Sequence, residues 1–166
     1  RLGELYNVPV YETPVGFKYV APLMMSKGAI LGGEESGGYG FGAHIPERDG
    51  ILAGLYFLDM MVRLGRRPSE LIEYLYSKVG PHHYERIDLT FDEGERQTIL
   101  KRVQESQPDN LAGLRLVERD TTDGFRFRLE GGFWLLIRFS GTEPLLRIYS
   151  EAPSVELAQE LIERGR

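Results

Sequence analysis

The sequence contains no cysteine. Disulfides, thiolate metal sites and a cysteine nucleophile are therefore excluded, and the composition is compatible with a cytoplasmic protein. It also lacks a basic surplus. Twenty Lys and Arg stand against 25 Asp and Glu, a formal net charge of -5, which opposes a nucleic-acid partner but leaves room for a local basic site that takes a small anion. There is no long apolar run. The longest, residues 51–62, contains Asp59 and falls short of the roughly 20 residues needed to span a bilayer, so it is expected to be a buried helix, and no membrane partner is implied. Residues 1–10 carry neither a signal-peptide core nor a basic leader. An initiator methionine is missing too, so the chain reads as a fragment or processed piece. No internal repeat or low-complexity segment is visible.

What is present is an ordinary globular composition, 42% apolar over 166 residues, enough for one domain or two small ones. Residues 8–11 are β-branched and aromatic and predict a strand, followed by the Thr13-Pro14-Val15-Gly16 turn. Residues 17–25 suggest a short helix or irregular segment. Residues 29–31 predict a strand that ends in Gly32-Gly33-Glu34-Glu35-Ser36-Gly37-Gly38, resembling the carboxyl edge of an α/β sheet, where ligands bind. Residues 39–46 read as a flexible loop. Asp49 is placed to cap a helix over 51–64 whose apolar residues cover nearly all faces, so the helix should lie inside the domain. Ser69 can start a second helix, to about Lys78.

Gly80-Pro81-His82-His83 is the candidate boundary between a first domain, 1–80, and a second, 81–166. Beyond it strands are expected over 84–91, 114–118, 125–129, 133–139 and 145–151. Helices should begin after Asp92, with Glu95 completing a capping-box pattern, and after Ser154. Phe125, Phe127 and Leu129 alternate with Arg126, Arg128 and Glu130, the pattern of a half-buried antiparallel strand.

Two polar constellations carry chemistry. In Arg138-Phe139-Ser140-Gly141-Thr142-Glu143-Pro144, with Arg147 beyond, hydroxyls, a glycine and two arginines lie between apolar runs. Backbone N–H groups, hydroxyls and guanidinium forks are the donors an anion cradle needs, although Ser, Gly, Thr and Pro also make ordinary polar turns. In the Glu34-Glu35-Ser36 loop the carboxylates could be an acid/base pair, metal ligands or acceptors for sugar hydroxyls. Adjacent residues diverge in direction and the loop offers few oxygen ligands, which favours the sugar; an exposed acidic turn is the bland alternative. Arg48 and Lys18 are compatible with solvated surface charges or with facing a phosphate, and His44 reads as a satisfied loop histidine rather than a catalyst. His82 and His83 look like an exposed linker pair.

The Gly33–Gly38 loop, His44-Ile45 with Glu47-Arg48-Asp49-Gly50, and Arg138–Pro144 with Arg147 together resemble the α-D-phosphohexomutases, the phosphoglucomutase and phosphomannomutase superfamily. The resemblance implies the later part of that family's third domain, an α/β unit, followed by its fourth, a smaller antiparallel sheet with helices similar to the TATA-binding-protein fold. It further implies interconversion of hexose 1-phosphates and 6-phosphates through a phosphoserine and a bisphosphorylated sugar. Glu34 and Ser36 would hold ring hydroxyls. Arg138, Ser140, Gly141 and Thr142, with Arg147, would hold the phosphate that is not reacting, and Gly16 and Lys18 would add contacts from the first domain. Arg48 falls where relatives carry a basic residue near the reacting phosphate; an arginine stays protonated, so electrostatic stabilisation is its expected role.

Departures from the family pattern also carry information. Val15 stands where some relatives have threonine, leaving Gly16 backbone contacts. Gly38, where dual-specificity members often have histidine, resembles the glucomutase form and tilts the expected substrate towards glucose. Neither a Thr-Ala-Ser-His-Asn-Pro-like nucleophile loop nor an Asp-Gly-Asp-x-Asp-Arg metal loop occurs here. Both belong to the family's first two domains, so Mg2+ is implied for the full-length enzyme and no metal site for this chain. Two other classes stay open: a non-catalytic phosphosugar- or anion-binding module, and a nucleic-acid module suggested only by the sheet analogy.

Overall fold

The computed structural model describes residues 1–166. The chain forms two compact units, Arg1–Val79 and Gly80–Arg166.

In the first unit, α1 (Leu2–Tyr6) leads through an extended segment to α2 (Phe17–Lys27). A β-hairpin follows, β1 (Leu31–Gly33) with β2 (Tyr39–Phe41), and then α3 (Gly50–Leu64) and α4 (Pro68–Val79). Pro68 occupies the first position of α4, where its missing N–H costs nothing. Asp49 caps α3 as expected, its Oδ1 accepting from the Leu52 N–H at 2.8 Å.

Three expectations fail in this unit. Residues 8–11 are extended but form no strand, because no second strand lies beside them; Val10 is 72% exposed. The strand leaving the 29–31 region pairs antiparallel with residues expected to be a loop, Leu31 opposite Phe41 and Gly33 opposite Tyr39, so the glycine-rich segment is a hairpin tip rather than the edge of a parallel sheet. Helix α3 buries none of its residues. Its apolar surface runs all round, but Phe41 stacks on Tyr56 at 4.7 Å on one side only, and Ile51 stays 83% exposed. The compact apolar centre here is small: Phe17, Val20 and Met24 of α2, with Ala21 and Ala29 against them.

The second unit is a six-stranded antiparallel sheet with helices on one face. Its strands are β3 (His83–Thr90), β4 (Asn110–Leu111), β5 (Leu114–Asp120), β6 (Phe125–Leu129), β7 (Trp134–Phe139) and β8 (Leu145–Ala152), in the order β3-β8-β7-β6-β5-β4. Helix α5 (Arg96–Glu105) follows a single 3-10 turn, Glu93–Glu95, whose cap is Asp92; α6 (Val155–Gly165) is capped by Ser154. The alternation read in 125–129 is realised. Phe127 and Leu129 enter the core, while Arg126 and Arg128 face Asp120 and Glu118 on the neighbouring strand. His82 is no exposed linker residue: it is half-buried, with its Nδ1 2.7 Å from Glu151 Oε1.

Leu135, Ile137, Leu146 and Ile148 line the core face, and Ala158, Leu161 and Ile162 of α6 close over them. Ser150, fully buried in that core, donates its hydroxyl to the Ala158 carbonyl at 2.8 Å, tying β8 to α6. The opposite face of β7, β8 and β3 carries Arg138, Arg147 and Asp88 in one cross-strand row. That row ends beside the β7–β8 connection, where the cradle residues lie.

Candidate functional site

The β7–β8 connection is a tight loop built by backbone bonds at its base. The Ser140 N–H donates to the Leu145 carbonyl at 2.8 Å and the Leu145 N–H to the Glu143 carbonyl at 2.8 Å. Ser140 is buried, whereas Gly141, Thr142, Glu143 and Pro144 are exposed. The N–H groups of Gly141 and Glu143 have no protein acceptor. Thr142 N–H reaches the Ser140 Oγ only at 3.4 Å, a long and weak bond. A Cβ added at Gly141 would meet no protein atom, so an incoming group can approach that backbone. Free N–H donors, a hydroxyl and an arginine at the end of β7 make this loop able to receive an anion.

Arg96 at the start of α5 braces the loop from the other side. Its Nη1 donates to the Ser140 carbonyl at 3.3 Å and its Nη2 to the Glu143 carbonyl at 3.1 Å. Glu93 pairs with the same guanidinium, and the Phe91 and Phe139 rings lie 5.1 and 5.8 Å from its carbon. The Phe91 N–H bonds the Pro144 carbonyl at 3.2 Å. Together these contacts tie the Ser140, Glu143 and Pro144 carbonyls to Arg96 and Phe91. Arg138 is held through its Nε by Asp123 at 3.0 Å. Arg147 lies directly opposite Arg138 in the β7–β8 register, with its Nε 3.7 Å from Asp88. The Asp88 carboxyl is held below its ordinary value, first by its two-pronged bonds from Arg86 and then by charge, Arg147 included. All five residues expected to hold phosphate thus occur within one loop and the strands that flank it.

In the first unit the hairpin tip presents Glu34. Its N–H donates to the Gly38 carbonyl at 2.9 Å and its carbonyl accepts from Gly37, closing the loop. The Glu34 carboxylate is largely buried and lies 3.3 Å from Arg48 Nη1. Glu47 receives both the Arg48 N–H and Nε, and these bonds lower its carboxyl below the ordinary value. A Cβ at Gly38 would stand 2.6 Å from Arg48 Cδ and 3.2 Å from Glu34 Oε2, so a side chain there would have to displace that of Arg48. The Arg48 guanidinium also covers the Phe17 ring at 5.5 Å, which places it beside the Gly16 turn that starts α2. Asp49 is lowered chiefly by the Leu52 N–H and further by His44, whose Nε2 is 3.1 Å away. His44 therefore belongs to the cap.

Glu34, Arg48 and the Gly16 turn are brought together. Ser36 sits exposed at the hairpin tip, and Lys18 lies against its neighbour Tyr19, Nζ 4.9 Å from the ring.

These two constellations can be set beside known proteins. A family profile described as "Phosphoglucomutase/phosphomannomutase, alpha/beta/alpha domain III" matches residues 1–79, and that of the same family's C-terminal domain matches residues 99–165. The chain belongs to the phosphoglucomutase/phosphomannomutase family. Among curated relatives, a phosphoglucomutase/phosphomannomutase of Thermococcus kodakarensis is 36% identical over 164 residues, 99% of this chain and 34% of the relative. A phosphoglucosamine mutase of Methanocaldococcus jannaschii is 34% identical over 159 residues, again 34% of its length. The crystal structure of a candidate phosphomannomutase from Thermus thermophilus superposes with a TM-score of 0.76 at 36% identity, covering 98% of this chain and 31% of that one. This phosphohexomutase chain thus spans about a third of the length of the relatives it matches.

The residues that hold the β7–β8 loop in shape have no local sequence signature. Arg96 acts on carbonyls 44 and 47 residues away, and Asp123 on an arginine 15 residues away. No local spacing encodes such contacts; the only hint was a charged residue at a helix start and an aspartate in a turn. No three His, Asp or Glu side chains gather in this structure.

Proposed function

We propose that this chain is the sugar- and phosphate-recognition part of a phosphohexomutase that interconverts hexose 1-phosphate and 6-phosphate, with glucose as the hexose. The observation that carries this reading is the β7–β8 loop. It offers unpaired backbone donors, a buried Ser140 and an Arg138–Arg147 pair, in a chain of this family. In this role Arg138, Ser140, Gly141, Thr142 and Arg147 bind a phosphate through charge-assisted hydrogen bonds. Glu34 and Ser36 accept from and donate to vicinal ring hydroxyls, with Gly16 and Lys18 adding contacts near the start of α2.

Arg48 serves as a fixed positive charge. Its bonds to Glu34 and Glu47 orient it, and a guanidinium does not give up a proton at ordinary pH, so it stabilises negative charge rather than shuttling protons. Binding energy gathered at the non-reacting phosphate and at the ring hydroxyls would orient the sugar for chemistry performed elsewhere in the polypeptide. Magnesium and the phosphoserine belong to that remainder.

The glucose assignment is supported by Gly38, which resembles the glucomutase form where dual-specificity members often have histidine. Glucosamine is the competing sugar, since relatives at 32–34% identity carry the name phosphoglucosamine mutase. A coupled assay tests the division of labour. The 166-residue chain alone should convert no glucose 1-phosphate to glucose 6-phosphate with Mg2+ present, and turnover would refute it. Titration with glucose 6-phosphate, mannose 6-phosphate and glucosamine 6-phosphate ranks the sugars; tighter binding of either competitor overturns the glucose assignment.

A further inference from the structure

Two arginines face each other across β7 and β8, an arrangement that is unfavourable by itself because like charges directly opposite one another repel. The sheet places a carboxylate at each end of the pair. Asp88 on β3 is in register with Arg147, and Asp123 reaches Arg138 from the β5–β6 turn. The four charges form a row, Asp123, Arg138, Arg147, Asp88, with the cations inside.

The turn that carries Asp123 is held firmly. Asp120 Oδ1 accepts from both the N–H and the hydroxyl of Thr122, at 2.8 and 2.6 Å, and the other oxygen of Asp120 pairs with Arg126. Gly124, at φ 89, has its Cα so close to β7 that an added Cβ would lie 2.7 Å from the Ile137 carbonyl oxygen and 3.2 Å from Arg138 Cβ. The turn therefore presses on the backbone of Arg138 itself. The Asp123 Oδ1 takes the Nε–H at 3.0 Å, and the two terminal nitrogens of Arg138 have no protein hydrogen bond. A guanidinium tethered through Nε has its orientation fixed while its Nη fork stays available for an oxyanion.

We propose that Asp123 is a positioning residue for phosphate recognition, acting through Arg138; Asp88, whose two oxygens are held by Arg86 at 2.8 and 2.9 Å, only balances the charge of Arg147. The inference rests on the reading of the β7–β8 loop as the phosphate cradle. Holding the fork in place before the ligand arrives avoids the ordering cost that a mobile arginine would incur on binding.

The test uses the 166-residue chain and two probes, inorganic phosphate and glucose 6-phosphate, titrated by calorimetry. Asp123→Asn should weaken both about tenfold, the lower end of what loss of an orienting partner costs. Asp123→Glu should recover part of that loss. In an Arg138→Ala background, Asp123→Asn should change affinity less than about twofold, because the residue it acts through is gone. By NMR, the Arg138 Nε–H should exchange slowly with water in the native chain and rapidly in Asp123→Asn.

An unchanged or tighter affinity in Asp123→Asn, or an equal loss in both backgrounds, would overturn the inference while leaving the cradle in place. If the native chain and Arg138→Ala bind glucose 6-phosphate equally, the cradle reading fails and the inference with it. Should Asp123→Asn not fold, the exchange rate of the native Arg138 Nε–H and the Asp123→Glu titration decide the matter: a rapidly exchanging Nε–H, or no change of affinity in Asp123→Glu, would overturn it.

Discussion

Replacing Ser140 by alanine separates an anion cradle from an ordinary turn, because the two roles weigh on different parts of the hydroxyl's surroundings. Within the protein the Oγ makes one contact, the 3.4 Å bond accepted from Thr142 N–H. That bond is at the weak end of the range, and exposed Thr142 can turn to water instead. The loop base is held by the Ser140 N–H, and Arg96 by the Ser140 carbonyl, both of which survive the substitution. Loss of folding stability should therefore be about 0.5 kcal/mol, the lower limit for a neutral hydrogen bond. Towards a phosphate, the same hydroxyl donates to a charged acceptor, a bond worth about 1.5–3 kcal/mol. Affinity for glucose 6-phosphate should then fall about ten- to a hundredfold. Urea unfolding and calorimetry on the same preparation measure the two effects. A stability loss above about 2 kcal/mol with affinity unchanged would return the loop to a structural turn.

Leu161 is fully buried between α6 and the sheet, so Leu161→Ala should cost about 3–4 kcal/mol, read from the urea midpoint. The Asp120 carboxyl lies well below its ordinary 3.8, at about 2, owing first to the Thr122 hydroxyl and N–H and then to Arg126. A depressed carboxylate contributes stability that is complete above its unfolded value and is lost as pH falls towards the folded one, here from about 4 down to 2. With partial solvent screening the contribution should be about 1 kcal/mol. Thermal unfolding between about pH 5 and 2 should show a shallower acid loss in Asp120→Asn than in the native chain.

The residues explain what was legible in the sequence. Strand β6 could be read because its alternation reports a two-faced environment, and Phe127 and Leu129 are buried as that pattern requires. Helix α6 could be read because Ser154 caps it and Ala158, Leu161 and Ile162 share the face that meets the core. Both signals are local.

Residues 8–11 have strand propensity, but pairing needs a neighbour, and none is present. The hairpin strand Tyr39–Phe41 was hidden by its glycines, which weaken β propensity yet let Gly40 pack against Phe17 and the Glu47 backbone. Helix α3 shows the limit of composition. Apolar residues on every side imply cover on every side, and the elements of Arg1–Val79 cover little of it. In the candidate site the residues of the β7–β8 loop were visible as a motif, whereas Arg96 and Asp123, which brace it, come from distant segments and become neighbours only once the sheet has formed.

On the proposed function, the chain recognises a phosphorylated hexose through the loop between β7 and β8. Calorimetry of the native chain with glucose 6-phosphate and with glucose, repeated on Arg138→Ala, tests it most directly. Glucose 6-phosphate should bind more tightly than glucose, and Arg138→Ala should lose at least about tenfold in affinity for the phosphosugar with affinity for glucose unchanged. Equal binding of the two ligands, or equal affinity of the native and Arg138→Ala chains for glucose 6-phosphate, would contradict it.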